Sequence, residues 1–164
     1  MKDKILVTGG NGKLATELKK HLRADYLGKD ELDFTRPIKL VKKYDLIVHV
    51  GAYTNVRKAE SANQKECFMA NAYGTFNLVE NYRNTPFIFI STEYARKPQN
   101  IYALTKKLGE EIVKTHPRHL ILRTLFKPNP FPFPVAYKDQ YTQGDYVDVI
   151  AKLLARKIKT WNRK

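Results

Sequence analysis

Residues 5–15 read ILVTGGNGKLA, an apolar strand-like run that passes through a glycine-rich turn into a helical pattern. A turn of this kind at the start of a helix forms an anion cradle. Glycines let the backbone approach a phosphate, and the unpaired N–H groups of the first helical turn point at it. Gly9 and Gly12 fit the first two glycine positions of a dinucleotide-binding turn, and Ala15 replaces the third, where a small residue lets helix and strand pack closely. The stretch therefore predicts a phosphate-binding turn at the first strand.

Short apolar runs alternate with helical stretches along the rest of the chain. The runs cover residues 5–7, 26–27, 46–50, 87–90 and 120–122. Apolar side chains recur at helical spacing in two sets between them, which are Leu14, Leu18 and Leu22, and Leu104, Leu108 and Ile112, the second expected to face the core. Apolar runs separated by helices are typical of parallel strands covered on both faces. The predicted fold class is α/β, a doubly wound Rossmann-type, mostly parallel sheet with right-handed crossovers and helices on both faces.

We divide the chain into three parts. Residues 1–126 form the predicted dinucleotide-binding domain. Residues 127–146 carry prolines at alternate positions, which exclude a helix and a central strand and predict an extended, partly stiff loop. Residues 147–164 are predicted to be a helix and basic tail that pack on the same domain. That helix is expected from about Asp145 to Lys159, with an apolar stripe of Val149, Leu153, Leu154 and Ile158.

The chain is unusually basic. Its 164 residues include 30 Lys and Arg and 16 Asp and Glu, which gives a formal net charge of +14. Such a field favours anionic partners, for example a nucleotide or another anionic small molecule. Nucleic-acid binding is disfavoured, since the sequence carries no recognition helix, zinc site or aromatic sheet motif. His116 and His119 have no third ligand nearby, so no metal site is predicted.

Two features of the sequence favour a cytoplasmic location. The apolar runs are strand-sized rather than the ~18 residues that a membrane span needs, and a strand begins almost at once, at Ile5, so we expect no membrane partner and no secretion signal. A single cysteine, Cys67, excludes an internal disulfide framework and fits a reducing compartment.

Tyr102 and Lys106 lie four residues apart, which places both side chains on one face of a helix, roughly opposite the stripe at Leu104 and Leu108. An ammonium beside a phenol stabilises the phenolate and lowers a pKa that would otherwise be near ~10. Thr92, at the end of the preceding strand, offers a hydroxyl that can hydrogen-bond the same substrate oxygen. A surface Tyr–Lys pair without a function is the alternative, but co-occurrence with the glycine turn favours a functional site.

These residues resemble a known family over residues 4–127. The chain is similar to the extended short-chain dehydrogenase/reductases, and most closely to the dTDP-4-dehydrorhamnose reductases. The resemblance is colinear and is carried by the turn at 8–15, LDFT at 32–35, VGAYT at 50–54, KAE at 58–60, STEY at 91–94, PQNIY at 98–102, GE at 109–110 and LRT at 122–124. Each piece is common, whereas the combination is specific.

The resemblance implies a role for each matching residue. Thr92, Tyr102 and Lys106 match the family's catalytic triad. The pyrophosphate would be held by the turn residues, which are Gly9, Gly10, Asn11, Gly12, Lys13 and Leu14. The adenine would contact Asp33 and Phe34, and the inner ribose region would contact Gly51, Ala52 and Tyr53. The implied reaction is hydride transfer between nicotinamide C4 and a carbonyl or alcohol carbon, with Tyr102 as general acid or base. Lys106 would adjust the pKa of Tyr102 and bind the nicotinamide ribose. Thr92 would position the substrate oxygen.

The choice of cofactor is suggested by the end of the second strand. Lys29 directly follows Gly28, and a cation there accommodates the 2′-phosphate of NADP, so NADP(H) is slightly favoured over NAD(H). Asp30 lies one residue further on and argues for NAD. The preference is therefore small.

The chain departs from the family in length, since it is little over half as long as typical members. Residues 127–146 stand where the family has its substrate-binding region, which makes this a reduced form of that region. Two functions therefore stay open, an NAD(P)-dependent oxidoreductase and a non-catalytic NAD(P)-binding regulatory or sensor protein. The sequence also leaves open a homo-oligomer in which Phe131, Phe133 and Tyr137 of a neighbour rebuild a substrate pocket.

Overall fold

A computed structural model of the chain describes residues 4–38, 42–131, 134–135 and 144–161. Its centre is a five-stranded parallel sheet in the order β2-β1-β3-β4-β5. The strands are β1 (Ile5–Thr8), β2 (Asp25–Leu27), β3 (Leu46–His49), β4 (Phe87–Thr92) and β5 (His119–Thr124). The predicted fold class is confirmed, and each predicted strand is present within three residues of its expected ends.

Helices cover both faces of this sheet. They are α1 (Lys13–Leu18), α2 (Val56–Ser61), α3 (Gln64–Phe68), α4 (Gly74–Asn81), α5 (Ile101–Lys114) and α6 (Val147–Trp161). A π-helical segment, Met69–Tyr73, joins α3 to α4, and a 3₁₀ turn, Glu93–Arg96, follows β4. None of the described helices has the length and apolar character to cross a bilayer.

The core consists of two apolar layers, one on each face of the sheet. Alternate residues of a strand point to opposite faces, so Ile5 and Val7 of β1 join the layer under α1 and α6, whereas Leu6 joins the layer under α4 and α5. Strand β3 is buried on both faces, and each of its large apolar side chains contributes about 1.5–3 kcal/mol of burial energy. Rigid parallel strands thereby fix the positions of the loops at their carboxyl ends.

The predicted core stripe of α5 is wrong at Leu104 and Leu108, whereas its third member, Ile112, packs against the core as expected. Leu104 and Leu108 are 49% and 38% exposed, and the buried face carries Ala103, Lys106, Gly109, Glu110 and Val113. The reason is close packing. A Cβ at Gly109 would lie 2.6 Å from the backbone oxygen of Asn71, so the small residues of α5 have to face the π-helical segment. Lys106 therefore points into the molecule, whereas Leu104 and Leu108 point towards solvent.

Smaller differences affect α1 and α6. Helix α1 ends at Leu18, although Leu22 is still buried beyond it. Helix α6 begins at Val147 rather than Asp145, and it packs against α1. Leu154 and Ile158 are buried as expected, whereas Val149 and Leu153 are exposed.

The stretch from residue 127 to 146 is anchored at both ends. Strand β6 (Phe126–Lys127) pairs in parallel with β7 (Asp145–Tyr146), so the predicted loop begins and ends in a short two-stranded sheet. Phe131 is exposed. The other residues assigned to a neighbour's pocket, Phe133 and Tyr137, lie outside the described residues.

Candidate functional site

The glycine turn is held tightly between two strands. Gly9 has a φ of +68°, a left-handed conformation that favours glycine, and a Cβ on it would lie 2.4 Å from the Cα of Gly51. The N–H of Gly12 donates to the Gly9 carbonyl at 2.9 Å, and the N–H of Gly10 donates to the Leu27 carbonyl at 2.8 Å. Gly12 then forms the N-cap of α1 without a side-chain cap, which leaves the first helical N–H groups available to a ligand.

A cleft of about 520 Å³ opens beside this turn at the carboxyl ends of β1 and β3. Its position is the point where the strand order reverses, since β1 connects to β2 on one side and pairs with β3 on the other. Seven predicted binding residues line the cleft, and they are Gly9, Lys29, Asp33, Phe34, Gly51, Ala52 and Tyr53.

Asp33, one of the two acidic residues that line the cleft, is already engaged by its neighbours. Thr35 donates to Asp33 Oδ1 from its hydroxyl at 2.6 Å and from its backbone N–H at 3.0 Å. The hydroxyl hydrogen bond from Thr35 lowers the pKa of Asp33 most, and Lys29 and Arg36 lower it further, against a smaller rise from burial. Asp33 is therefore an ionised carboxylate, with Oδ1 held by Thr35 and Oδ2 lying 3.4 Å from Arg36 Nε.

The other predicted turn residues have different surroundings. Gly10 packs against the backbone of Tyr26, and the side chain of Leu14 is buried in the core, so only its backbone N–H could contact a ligand. Asn11 rests its side chain against Gly28, and Lys13 is exposed.

The catalytic-type residues lie at the neighbouring strand, β4, beyond the walls of the cleft. Thr92 ends β4, and Tyr102 stands in the first turn of α5, where Asn100 caps the helix by accepting from Ala103 N–H at 2.8 Å. Burial raises the pKa of the half-buried Tyr102, and its hydrogen bond with Thr92 opposes that rise. The expected lowering of the Tyr102 pKa is therefore wrong for the protein without ligand.

The reason lies in the direction of the Lys106 ammonium. Its Nζ donates to the Ile90 carbonyl at 2.7 Å and lies 4.0 Å from the centroid of the Phe89 ring, so it points into β4. Lys106 is 2% exposed, and this burial lowers its pKa to about 7, although the negative charge of Glu110 opposes the fall. Burial therefore makes Lys106 a weak base in this position.

Glu110 itself is fully buried one helical turn beyond Lys106. It accepts two hydrogen bonds from Arg123 of β5, at 2.8 Å from Nε and 2.6 Å from Nη2, in a bidentate ion pair. The helix that carries Tyr102 and Lys106 is thus bound to the edge of the sheet through a buried charge pair.

The side chain of Asn71 joins the cleft to α5. Asn71 is buried in the π-helical segment, where its side chain bonds both backbone groups of Tyr53, with Oδ1 accepting at 2.8 Å and Nδ2 donating at 3.1 Å. Nδ2 also lies 3.1 Å from Thr105 Oγ1 on α5. A π-helical turn has no reliable sequence signal, so this link could not be predicted.

Further residues of the cleft wall were also missed. They are Leu32, Thr35, Lys65, Glu66, Met69 and Ala70. Four of them come from α3 and the π-helical segment, where a side chain over a cleft has the same local pattern as one on any exposed helix face. Lys65 adds a second cation to the wall that Lys29 lines.

Comparison with known proteins agrees with this geometry. The family model described as RmlD substrate binding domain matches residues 3–159. A dTDP-4-dehydrorhamnose reductase from Sinorhizobium fredii is 31% identical over 147 aligned positions, which cover 74% of this chain and 49% of that protein. The chain thus spans about half the length of the curated relatives it matches.

Solved structures share the fold over a longer part of the chain. A dTDP-4-dehydrorhamnose reductase from Bacillus anthracis, in complex with NADP, superposes with a TM-score of 0.79 at 22% identity over 98% of this chain and 72% of that one. The RMD protein from Pseudomonas aeruginosa, complexed with NADPH, has a TM-score of 0.63 at 22% identity over 77% of this chain and 55% of that one. At these identities the likeness shows the fold.

Proposed function

The chain belongs to the family of the RmlD substrate binding domain, and from that premise we propose that it is an NAD(P)-dependent oxidoreductase of the extended short-chain type. It would transfer hydride between the nicotinamide of a bound dinucleotide and a carbonyl or alcohol carbon. One observation carries the proposal: the positive-φ glycine turn and the Thr92–Tyr102 pair lie at the carboxyl edge of the same parallel sheet.

The residues of the turn and cleft fit a dinucleotide. Gly9 packs directly against Gly51, which leaves no room for a side chain at the turn, and the first N–H groups of α1, at Lys13 and Leu14, would hold the pyrophosphate. Asp33 and Phe34 would contact the adenosine end, and Gly51, Ala52 and Tyr53 would contact the inner ribose. The dinucleotide supplies or accepts the hydride when it is bound, and the protein orients it.

NADP(H) is proposed as the preferred cofactor because of the charges in the cleft wall. Lys29 and Lys65 both line it, and a cation accommodates a 2′-phosphate. The Bacillus anthracis and Pseudomonas aeruginosa structures with NADP and NADPH support the same preference.

Tyr102 would act as the general acid in the reducing direction. Its raised pKa keeps the phenol protonated at neutral pH, so it can donate a proton to the alkoxide that forms on the substrate. Thr92 would hold the same substrate oxygen by hydrogen bonding. Lys106, whose ammonium now bonds the Ile90 carbonyl, would bind the ribose hydroxyls at this edge of the sheet.

Substitution of two neighbouring tyrosines tests the proposal. Tyr102→Phe should lower the rate of NADPH oxidation with its best carbonyl substrate at least about 100-fold, because the proton donor is lost, and should leave NADPH affinity unchanged. Tyr94→Phe is the matched control, since Tyr94 lies beside the same strand end but is exposed, and it should keep full activity. Equal turnover of the Tyr102→Phe variant and the wild type would refute the catalytic assignment.

A non-catalytic NAD(P)-binding sensor or regulatory protein is the second candidate. The observation that favours it is length, because the chain spans about half of the curated reductases that it matches. A panel of aldehydes, ketones and anionic carbonyl compounds at saturating NADPH separates the two functions. Oxidation of NADPH by any of them supports the enzyme, and inactivity with all of them, together with tight NADPH binding, supports the sensor.

A further inference from the structure

A buried chain of hydrogen bonds runs beneath the cleft, from Gly51 to the backbone of Asn71. The N–H of Gly51 donates to Thr8 Oγ1 at 3.2 Å, and Thr8 Oγ1 lies 2.7 Å from His49 Nδ1. On the other side of the ring, His49 Nε2 lies 3.2 Å from Thr75 Oγ1, which donates to the Asn71 carbonyl at 2.8 Å. The three side chains of this chain are all at most 1% exposed.

The donor and acceptor of each hydrogen bond follow from the groups at the two ends of this chain, the N–H of Gly51 and the carbonyl of Asn71. The Asn71 carbonyl can only accept a hydrogen bond, so the hydroxyl of Thr75 donates its one proton there. The Thr75 hydroxyl oxygen must therefore accept from His49 Nε2–H. Burial, with the nearby charge of Lys106, lowers the pKa of His49 well below 6.5, so the ring is neutral and Nδ1 is an acceptor. Thr8 therefore donates its proton to Nδ1, and its oxygen lone pair accepts the N–H of Gly51.

The Thr8 branch of this chain connects the two backbone turns of the cleft. Thr8 immediately precedes Gly9, and Gly51 lies directly against Gly9, with no space for a Cβ between them. Phe34, which lines the cleft, presents the edge of its ring to His49 at a centroid distance of 5.0 Å and packs on Gly51. A change in the orientation of the Thr8 hydroxyl would therefore move the floor and one wall of the cleft together.

We infer that His49 is a positioning residue for the cofactor: through Nδ1 it orients the Thr8 hydroxyl, which holds the N–H of Gly51 and so sets the separation of the Gly9 and Gly51 turns. This inference rests on the proposed function, because it takes the dinucleotide as the occupant of the cleft. The Thr75 branch differs from it, since it ends on the backbone carbonyl of Asn71 in the π-helical segment and does not contact the Gly9 or Gly51 turn.

The two ring nitrogens can be tested separately with side-chain amides. The Oδ1 of asparagine is as many bonds from Cα as histidine Nδ1, and the Nε2 of glutamine is as many bonds from Cα as histidine Nε2. His49→Asn should therefore keep the acceptor for Thr8 and retain NADPH affinity to within about threefold, whereas His49→Gln should lose the acceptor and weaken NADPH binding about tenfold. Both variants lose ring volume, so their melting temperatures should fall by similar amounts.

The threonines provide a second test that leaves the histidine in place. Thr8→Val should weaken NADPH binding about tenfold, and Thr8→Ser, which keeps the hydroxyl, should restore it. Thr75→Val removes the same group from the other end of the ring, and it should lower the melting temperature while leaving NADPH affinity unchanged. Calorimetric titration with NADPH, next to a thermal melt of each variant, gives both quantities.

Each other outcome overturns a specific part of the account. Equal losses of affinity in Thr8→Val and Thr75→Val would mean that the chain only stabilises the fold, and full affinity in Thr8→Val would mean that the hydroxyl does not set the cleft. Either result leaves the proposed function standing. Absence of NADPH and NADH binding by the wild-type protein would instead overturn the proposed function, and this inference with it.

Discussion

The cleft at β1 and β3 and the corner formed by β4 and α5 are built by different means. The cleft is formed by backbone turns and small residues in steric contact, for example Gly9 against Gly51. The corner is formed by buried charges, with Lys106 on the Ile90 carbonyl and Glu110 on Arg123. A site held by steric contact depends on side-chain volume, whereas a site held by buried charge depends on pH and on each charged partner.

The largest effect should come from adding one methyl group to the cleft. In Gly9→Ala the new Cβ would lie 2.4 Å from the Cα of Gly51, in a backbone conformation that already disfavours side chains. We expect at least about 100-fold weaker NADPH binding, measured by calorimetry, because the two turns must separate. Gly28→Ala is the milder comparison, since there only the flexible Asn11 side chain has to move, and it should weaken NADPH binding much less than Gly9→Ala does. Tight NADPH binding by Gly9→Ala would contradict steric control of the cleft.

The second effect concerns the charge pair at the corner, and two adjacent glutamates test it. Glu110→Gln leaves the Arg123 guanidinium without its buried counter-charge and should cost about 3–5 kcal/mol in denaturant unfolding. Glu111→Gln removes an exposed charge that pairs with Lys107 and Lys114, and should leave the free energy of unfolding nearly unchanged. Similar losses for the two variants would show that the buried pair has no special role.

The pair of Glu110 and Arg123 should make the stability of the wild-type protein depend on pH in the acid range. Burial alone would raise the pKa of Glu110, but the hydrogen bonds and charge of Arg123 lower it below the usual 4.5. A lowered pKa contributes stability that is present above 4.5 and is lost as the pH falls through the pKa of the folded state. The stability difference between the wild type and Glu110→Gln should therefore shrink when the pH falls below 4.5.

Lys106 should affect the stability in the opposite direction to Glu110. Its buried charge should lower the free energy of unfolding most at acid pH. Burial lowers its pKa to about 7 in the folded protein, from 10.5. Below pH 7 the folded protein must hold a buried charge, and the penalty is relieved as the pH rises from 7 towards 10.5. Lys106→Met should therefore raise the melting temperature at pH 6 more than at pH 9.

The smallest effect should be at the outer face of α5. Leu104→Ser changes an exposed side chain, so it should alter the free energy of unfolding by less than about 0.5 kcal/mol and leave NADPH affinity unchanged. Val113→Ala, on the buried face of the same helix, should cost more than about 1 kcal/mol. A larger loss in Leu104→Ser than in Val113→Ala would contradict the observed orientation of α5.

Sequence reasoning succeeded where backbone geometry decides the outcome. The run at 5–15 predicts the first strand, the glycine turn and a helix, because each step has a local signal in glycine placement and apolar spacing. The order of the strands then follows from chain connectivity. Cleft residues such as Asp33 and Gly51 were assigned through the resemblance to the reductase family, and the structure places both in the wall of the cleft.

Sequence reasoning failed where contacts between distant elements override the local spacing of apolar residues. Leucine spacing on α5 predicted the buried face at Leu104 and Leu108, but Gly109 and Ala103 allow the closest approach and therefore turn the other face inward. The Tyr102 pKa depends on where the Lys106 ammonium points, and a spacing of four residues does not determine that. The roles of Asn71 and His49 come from contacts between distant elements, for which a single sequence carries no signal.

Calorimetric titration of the protein with NADPH and then NADH tests the central claim most directly. The account predicts one saturable site per chain, with tighter binding of NADPH because Lys29 and Lys65 line the cleft, and loss of that binding in Gly9→Ala. No heat with either nucleotide, or identical titrations for the wild type and Gly9→Ala, would contradict it.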